Sequence, residues 1–529
     1  MGDLSNYNLA DIWEAVAERV ADRVAVICGE RRLTYAELES RANRLAHHLL
    51  SVGVAAGDHV GLYLMNGTEY LEGMLAAFKI RAVPINVNFR YVADELRYLF
   101  DDSGIVALIH NPEFADRVAE AAPSVPAIRH TLATGADYEA ALAAQPADRG
   151  FPERSGDDPY IIYTGGTTGM PKGVVWRQED AFFACVGGGD PMRLQGPVEQ
   201  PSEILDRIID FEFCAYPLAP LIHAAAQWTT LSWLYCGARV VLTPGSFDPS
   251  AVWATVAREN VNTLIMVGDA MARPLVDDWE ANGPYEVSSL YALGSGGAPL
   301  SAYLKDRFHE MMPDAMITDG FGSSETGAQG SQRIQPGVES KGLTSFQRLG
   351  TGTTVLAEDG TEVQPGSGVI GRLALSGRIP LGYHNDPAKT AETFVEVDGR
   401  RWVITGDMAT VEEDGAITLF GRGSVSINTG GEKVYPEEVE SALKSHPDVY
   451  DAVVVGVADP RWGEVVCAVI QPVAGASVRL DDLVAHARSS IAGYKVPRRL
   501  VVVPEVVRSP VGKADYRWAK TVASEGDAS

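Results

Sequence analysis

From Thr164 to Gly173 the chain reads Thr-Gly-Gly-Thr-Thr-Gly-Met-Pro-Lys-Gly, entered from the apolar run Tyr160-Ile161-Ile162-Tyr163 and left through Val174-Val175-Trp176. Glycines lack Cβ, so such a turn can bring successive backbone N–H groups toward one point and form an anion-binding nest. The hydroxyls of Thr164, Thr167 and Thr168 add donors, and Lys172 adds a cation. A chain of phosphates is the guest this chemistry suits. The plain alternative is a β-hairpin tip, where Gly and Thr also gather. The Walker loop fits worse, because it needs Gly-Lys-Ser/Thr running into a helix. Here Lys172 stands between Pro171 and Gly173 and a strand-like run follows, which disfavours a kinase or P-loop ATPase.

Other stretches carry groups that could complete such a site. Pro217-Leu218-Ala219-Pro220-Leu221-Ile222-His223 sets a lone His among apolar residues, ordinarily a satisfied core histidine. Gly294-Ser295-Gly296-Gly297-Ala298-Pro299 offers side-chain-free backbone against which a flat ring can lie, although alone it is a turn signal. Thr318-Asp319-Gly320-Phe321-Gly322-Ser323-Ser324-Glu325-Thr326-Gly327 is more specific. Glu325 ends a tight glycine loop among hydroxyls, a poor setting for a solvated carboxylate, and magnesium prefers hard oxygen ligands shared with nucleotide phosphates. A serine hydrolase is disfavoured because the closing Gly of G-x-S-x-G is missing. Asp407 in Thr405-Gly406-Asp407 reads alone as a turn aspartate, and Arg422 in Gly421-Arg422 as a surface cation. Lys513, in Ser509-Pro510-Val511-Gly512-Lys513, reads alone as a solvated charge.

In this order the motifs resemble those of the adenylate-forming superfamily: acyl-CoA synthetases, peptide-synthetase adenylation domains and luciferases. The resemblance covers nearly the whole chain. It implies that Thr164, Gly165, Gly166, Thr167, Thr168, Gly169 and Lys172 hold the β- and γ-phosphates of ATP. Gly296, Gly297 and Ala298 would border adenine and the acyl pocket. Asp319, Gly320, Phe321, Gly322 and Ser323 would line the nucleotide site, with Phe321 on the adenine face and Thr326 at the α-phosphate. Glu325 with Thr164 would hold magnesium, Asp407 the ribose hydroxyls, and Arg422 the ribose and phosphate. His223 falls where the family places an aromatic or His beside the carboxylate, and Lys513 where it places its catalytic lysine. The catalytic set implied is therefore Lys513, Thr164, Glu325 and His223.

The elements that must position these groups are legible by periodicity. Thr34 and Glu37 predict a capping box, followed by Leu38, Ala42, Leu45 and Leu49 at helical spacing. A helix over 70–81 and strands at 60–64 and 83–87 extend a layered α/β pattern. Residues 187–206, rich in Gly and Pro, read as a surface insertion or lid. After residue 423, strands at 449–457, 465–471 and 500–503 with a helix over 480–490 predict a compact α+β unit. With the resemblance, the expected fold is multidomain α/β. A large N-terminal domain (1–423) has layered α/β subdomains plus a β-barrel-like subdomain, and a small mobile α+β C-terminal domain (424–529) follows. The family hinge residue is usually Asp or Lys; here it is Ser424, which brings no charge to a latch. Rotation there would bring the loop of Gly430, Gly431 and Lys433 to the adenylate.

The 529 residues include 46% hydrophobic and 22% charged types, as in globular proteins, and five scattered cysteines that read as reduced core residues. No stretch approaches the ~20 apolar residues of a membrane span, and the N-terminus lacks a secretory signal, so a cytoplasmic location is expected. A formal net charge of −26 argues against nucleic-acid partners. The expected reaction couples ATP, with Mg2+, to a hydrophobic carboxylic acid and transfers the acyl group to coenzyme A. Val175-Trp176-Arg177, Gly268-Asp269-Ala270-Met271-Ala272-Arg273 and Asp515-Tyr516-Arg517-Trp518 look like actinobacterial synthetases that activate sterol side-chain acids. Medium- or long-chain fatty acids come next. The partners expected are these small molecules, with a homodimer as the oligomeric option. The rival readings are an acyl-AMP ligase that feeds a carrier-protein thiol, and a nucleotide-binding protein without turnover.

Overall fold

The computed structural model describes residues 4–164, 170–334, 343, 345–350, 352–429, 432–509 and 512–525. The capping box forms: Glu37 N donates to Thr34 Oγ1 at 3.1 Å and Thr34 N to Glu37 Oε2 at 2.7 Å. Helix Tyr35–Ser51 then buries Leu38, Ala42, Leu45 and Leu49 along one stripe. The helix expected over 70–81 is Thr68–Lys79, shifted because Gly67 breaks the extended run before it. His59–Tyr63 lies between Val83–Asn86 and Ile105–His110 in a parallel sheet that His130–Ala133 completes.

A second parallel set runs Val24–Cys28, Arg239–Leu242, Cys214–Pro217, Thr263–Met266, Ala292–Gly296, Met316–Ser323 in spatial order. Its apolar strands are covered on both faces, as parallel strands require. Ligands of open α/β sheets bind beyond the carboxyl ends of the strands. Here those ends carry Pro217, Met266, Gly296 and Ser323. Past Met316–Ser323 the pairing turns antiparallel, through Gly327–Ile334, Ser345–Arg348, Ile417–Arg422, Arg400–Val411, Gly371–Ser376 and Thr353–Leu356. This module encloses its own small core of Val355, Leu373, Ala409, Val411 and Ile417 and is the counterpart of the expected barrel-like subdomain.

One turn, Gly423–Val425, leads from there to a separate sheet of Ile427–Thr429, Glu432–Val434, Val449–Asp459, Gly463–Pro472 and Arg499–Val502. Helices Pro436–Lys444 and Leu480–Ala487 cover one face through Val439, Leu443 and Leu483, and Tyr516–Glu525 covers the other through Ala519 and Ala523. Among the described residues no helix is long and apolar enough to cross a membrane.

Candidate active site

Pro159–Thr164 pairs antiparallel with Lys172–Arg177, and Thr164 sits opposite Lys172. The Gly/Thr run is therefore the connection of a hairpin, followed by a strand and not by a helix. Gly165, Gly166, Thr167, Thr168 and Gly169 lie outside the described residues. Both flanks are fixed. Buried Asn86 accepts from Tyr163 N at 2.7 Å and donates Nδ2 to the carbonyls of Tyr163 (2.8 Å) and Ile222 (2.7 Å). One amide thus ties the entry of the run to the residue before His223. At the exit, Lys172 Nζ donates to Asp386 Oδ2 at 2.6 Å and lies 5.6 Å from the centroid of the Tyr383 ring. Tyr383 Oη in turn donates to Glu325 Oε1 at 2.9 Å. Neither Tyr383 and Asp386, in Gly382-Tyr383-His384-Asn385-Asp386, nor Asn86, a polar residue in an apolar strand, carries a local signature of this role.

Glu325 occupies the turn between Met316–Ser323 and Gly327–Ile334. Hydroxyls hold that turn: Ser323 N donates to Thr326 Oγ1 at 2.9 Å, Glu325 N to Ser323 Oγ at 3.2 Å, and Trp176 Nε1 to the Ser324 carbonyl at 3.0 Å. Tyr383 occupies one carboxylate oxygen of Glu325 and leaves the other open. A carboxylate and the Thr164 hydroxyl suit magnesium, which takes its remaining ligands from phosphate and water. Phe321 lies across Gly330, where any side chain would collide with the ring, and packs edge-on to Phe346 at 4.8 Å. Asp319 is engaged with helix Ala302–Met311. Its carboxylate is buried in a 2.8 Å ion pair with Lys305 and does not line the cavity, so the expectation that it faces a nucleotide is corrected for its side chain.

A cavity of about 1760 Å³ is lined by Thr164, His223, Gly296, Gly297, Gly320, Phe321, Gly322 and Ser323 from the large unit and by Gly512 and Lys513 from the small one. Ala298 and Thr326 stand outside that wall. Glu325 and Arg422 line a second cavity of about 570 Å³ with Tyr383 and Gly406. Asp407 faces Arg422 across paired strands, with 3.7 Å between Oδ1 and Nε, and accepts from Thr405 Oγ1 at 2.5 Å.

Lys513 enters from a turn closed by Ser509 N to Lys513 O at 2.8 Å and Lys513 N to Ser509 Oγ at 3.1 Å. Its ammonium makes no hydrogen bond or ion pair among the described residues. Burial holds its pKa below the usual lysine value; Arg422 acts in the same direction, and Glu325, Asp407 and Glu437 oppose it. An amine so placed gains most from an incoming anion. His223 is half-buried with Nε2 shielded from solvent and unpaired among the described residues, and burial, with Arg90 and Lys513, pushes it down to about 4. At neutral pH it is therefore an uncharged hydrogen-bonding group. Lys433 is exposed on Glu432–Val434 and stands away from the cavity wall, and Gly430 and Gly431 lie outside the described residues.

A chain of charges fixes the small unit against the large one. Lys444 Nζ reaches Asp269 Oδ2 at 3.2 Å and Asp451 Oδ1 at 3.7 Å, and Asp451 takes Arg508 at 2.6 Å. Arg508 Nη1 then donates to the Gly512 carbonyl at 3.1 Å, next to Lys513. Tyr450 Oη adds a 3.0 Å bond to Asp277 and Arg273 Nη2 a 3.2 Å bond to the Tyr450 carbonyl. Glu437, at the start of helix Pro436–Lys444, is buried beside Glu440 and Asp407, and burial first of all pushes it up to about 7 from 4.5. Its stabilising, protonated form is complete below pH 4.5 and is lost as pH climbs through 7, a total of ~3 kcal/mol. Glu437→Gln should therefore gain thermal midpoint over the parent between pH 5 and pH 7.5 and show a constant difference below pH 4.5. A difference that does not change with pH would show that Glu437 ionises as an ordinary carboxyl.

A family profile described as AMP-binding enzyme matches residues 13–384, and one described as AMP-binding enzyme C-terminal domain matches residues 438–513. A Mycobacterium tuberculosis protein named medium/long-chain-fatty-acid–CoA/3-oxocholest-4-en-26-oate–CoA ligase is 49% identical over 525 residues, covering 97% of this chain and 95% of its own. A Rhodococcus rhodochrous 3-oxocholest-4-en-26-oate–CoA ligase is 47% identical over 534 residues, covering 97% and 95%. The crystal structure of an anthranilate CoA ligase with anthranoyl-AMP superposes with a TM-score of 0.86 at 24% identity, covering 100% of this chain and 99% of that one, and so shares the fold. The chain belongs to the AMP-binding enzyme family.

Proposed function

We propose that the protein is an AMP-forming acyl-CoA synthetase whose acid is a bulky sterol side-chain carboxylate or a medium- to long-chain fatty acid. The observation that carries this reading is the unpaired Lys513 ammonium opening into the cavity that also contains Thr164 and His223. A free carboxylate resists nucleophiles, and oxide is a poor leaving group. Attack of its oxygen on the α-phosphorus of ATP, with loss of pyrophosphate, removes both obstacles. Charge then builds on phosphoryl oxygens, so fixed donors and cations supply most of the catalysis. Lys513 neutralises that charge, and the hydroxyl of Thr164 and the ammonium of Lys172 steady the β- and γ-phosphates. Neutral His223 orients the carboxylate by donating a hydrogen bond to it. Asp407 and Arg422 hold the ribose. Glu325 and Thr164 would hold a magnesium ion, which supplies charge neutralisation on the phosphates.

Lys433 faces away from the cavity in this arrangement, which supports a second one for thioester formation. In that step the unit after Ser424 turns, Lys513 withdraws and the segment 430–433 approaches the adenylate. A thiol then attacks the acyl carbon and AMP leaves. A panel of carboxylic acids scored for coenzyme-A-dependent AMP formation tests the assignment. Sterol side-chain and long-chain acids should lead the panel. Transfer to a carrier-protein thiol with no response to coenzyme A would favour the acyl-AMP ligase instead.

A further inference from the structure

Tyr383 stands between two groups suited to phosphate and metal. The short strand Gly382–Tyr383 pairs antiparallel with Lys172–Arg177 and sets Tyr383 opposite Val174, along the exit of the Gly/Thr run. Two flanking bonds fix it there: Leu381 N donates to the Val175 carbonyl and His384 N to the Gly173 carbonyl, both at 2.7 Å. Tyr383 N donates to Thr390 Oγ1 at 2.9 Å, and its ring packs edge-on to Phe394 at 5.8 Å. Helix Pro387–Thr393 comes this close because residue 382 is glycine; a Cβ there would stand 2.5 Å from Thr390 Cγ2.

Pairing and packing place the ring, and phenylalanine would satisfy both. What phenylalanine lacks is the hydroxyl, which donates to Glu325 Oε1 at 2.9 Å. That bond joins the outer strand of the hairpin sheet to the turn after Met316–Ser323, 58 residues away in the chain. It is the only hydrogen bond or ion pair to the Glu325 carboxylate among the described residues. A glutamate has several free side-chain torsions, and holding it in one geometry costs conformational freedom. Burial above all, and then the Glu325 charge, push the Tyr383 phenol above its usual value, while Thr393 and Arg422 oppose them. The phenol is therefore protonated at neutral pH and remains a donor. Its ring also faces Lys172, whose ammonium lies 5.6 Å from the centroid and 2.6 Å from Asp386 Oδ2. Residues 382–386 thus touch both the cation suited to the outer phosphates and the carboxylate suited to magnesium.

We propose that Tyr383 is a positioning residue for the divalent cation that accompanies ATP: its hydroxyl holds Glu325 in one orientation through Oε1 and reserves Oε2 for the cation. This rests on the acyl-CoA synthetase reading and goes beyond it by naming a residue that acts through Glu325. Groups that hydrogen-bond a metal ligand fix its direction, and losing one typically costs about tenfold to a hundredfold in metal affinity. Without the phenol, Glu325 is free to lean toward the Lys513 ammonium, which already feels its charge.

Calorimetric binding of α,β-methylene-ATP, whose bridging carbon blocks the reaction, tests this with and without Mg2+. Magnesium should tighten binding to the parent. Tyr383→Phe should cut that gain by about tenfold and leave the metal-free affinity as in the parent. In a Glu325→Gln background the gain is already lost, so adding Tyr383→Phe should change affinity by less than about twofold, the mark of two residues acting as a unit. Equal weakening of the metal-free and metal-bound complexes by Tyr383→Phe overturns the inference and leaves the synthetase reading standing, because the hydroxyl would then serve the fold or Lys172. A full further loss in the Glu325→Gln background overturns it as well, and so does a Glu325→Gln variant that keeps the whole magnesium gain. A parent that gains nothing from magnesium and exchanges pyrophosphate with ATP for no acid removes the synthetase reading and this inference together.

Discussion

Lys513→Ala should abolish the first half-reaction, lowering acid-dependent pyrophosphate–ATP exchange by at least about a hundredfold, the loss seen when one preorganised charge-stabilising donor is removed. The ammonium of Lys513 makes no ion pair among the described residues, and no second lysine lines the cavity there. Arg422, the nearest alternative, is engaged with Asp407 at 3.7 Å. The second half-reaction should survive. Thioester formation from synthetic adenylate needs neither pyrophosphate release nor charge neutralisation at phosphorus, so its rate should fall by no more than about threefold. Equal losses in both steps would show that Lys513 supports the fold or the nucleotide pocket in general and not the phosphoryl step.

Asp269→Asn should impair the same half-reaction from a distance. Asp269 accepts from Ser301 N at 2.7 Å through one oxygen and takes Lys444 at 3.2 Å through the other. The amide keeps the first bond and loses the ion pair, so Lys444 is left buried with Asp451, already shared with Arg508, and the nearby Glu440 to balance it. Breaking one partner of a buried pair costs ~3–5 kcal/mol. Much of that falls on the arrangement in which the small unit is docked, because the lost bond crosses between the two units. Exchange should drop by about tenfold to a hundredfold while thioester formation from pre-made adenylate holds or rises. The variant should also bind ATP more weakly, because ATP and docking favour each other. Unaltered exchange would mean that Tyr450, through Asp277 and Arg273, suffices to dock the unit.

Local chemistry decided what could be read from the sequence. The Gly/Thr run at 164–173 and the Glu325 turn stand out because glycine, hydroxyl and charge cluster within a few residues, whereas Asp407 and Arg422 are fifteen residues apart and pair only across strands. The strands expected at 449–457 and 465–471 extend to Val449–Asp459 and Gly463–Pro472, since long-range pairing adds residues that local pattern leaves out. What stayed hidden is the second layer, built by residues far apart in the chain. Asn86 joins Tyr163 to Ile222, and Tyr383 joins Lys172 to Glu325. Neither carries a local signature, because each looks like an ordinary strand residue until its partners are known. Asp319 misled for the opposite reason. It stands inside a motif, yet its carboxylate is held by Lys305, a partner on helix Ala302–Met311 that no local pattern announces. Residues 187–206 keep the surface character their composition suggests over 191–197, while Val198 and Ile204 anchor the segment in the core, which no local pattern announces.

The central claim is that one cavity brings Thr164, His223 and Lys513 onto a single α-phosphorus and a single carboxylate. Pyrophosphate–ATP exchange in the parent, with a long-chain or steroid acid and without coenzyme A, tests it most directly. The account predicts exchange that requires both the acid and magnesium and needs no thiol. ATP that binds saturably but never exchanges with pyrophosphate, whatever hydrophobic acid is present, would contradict it.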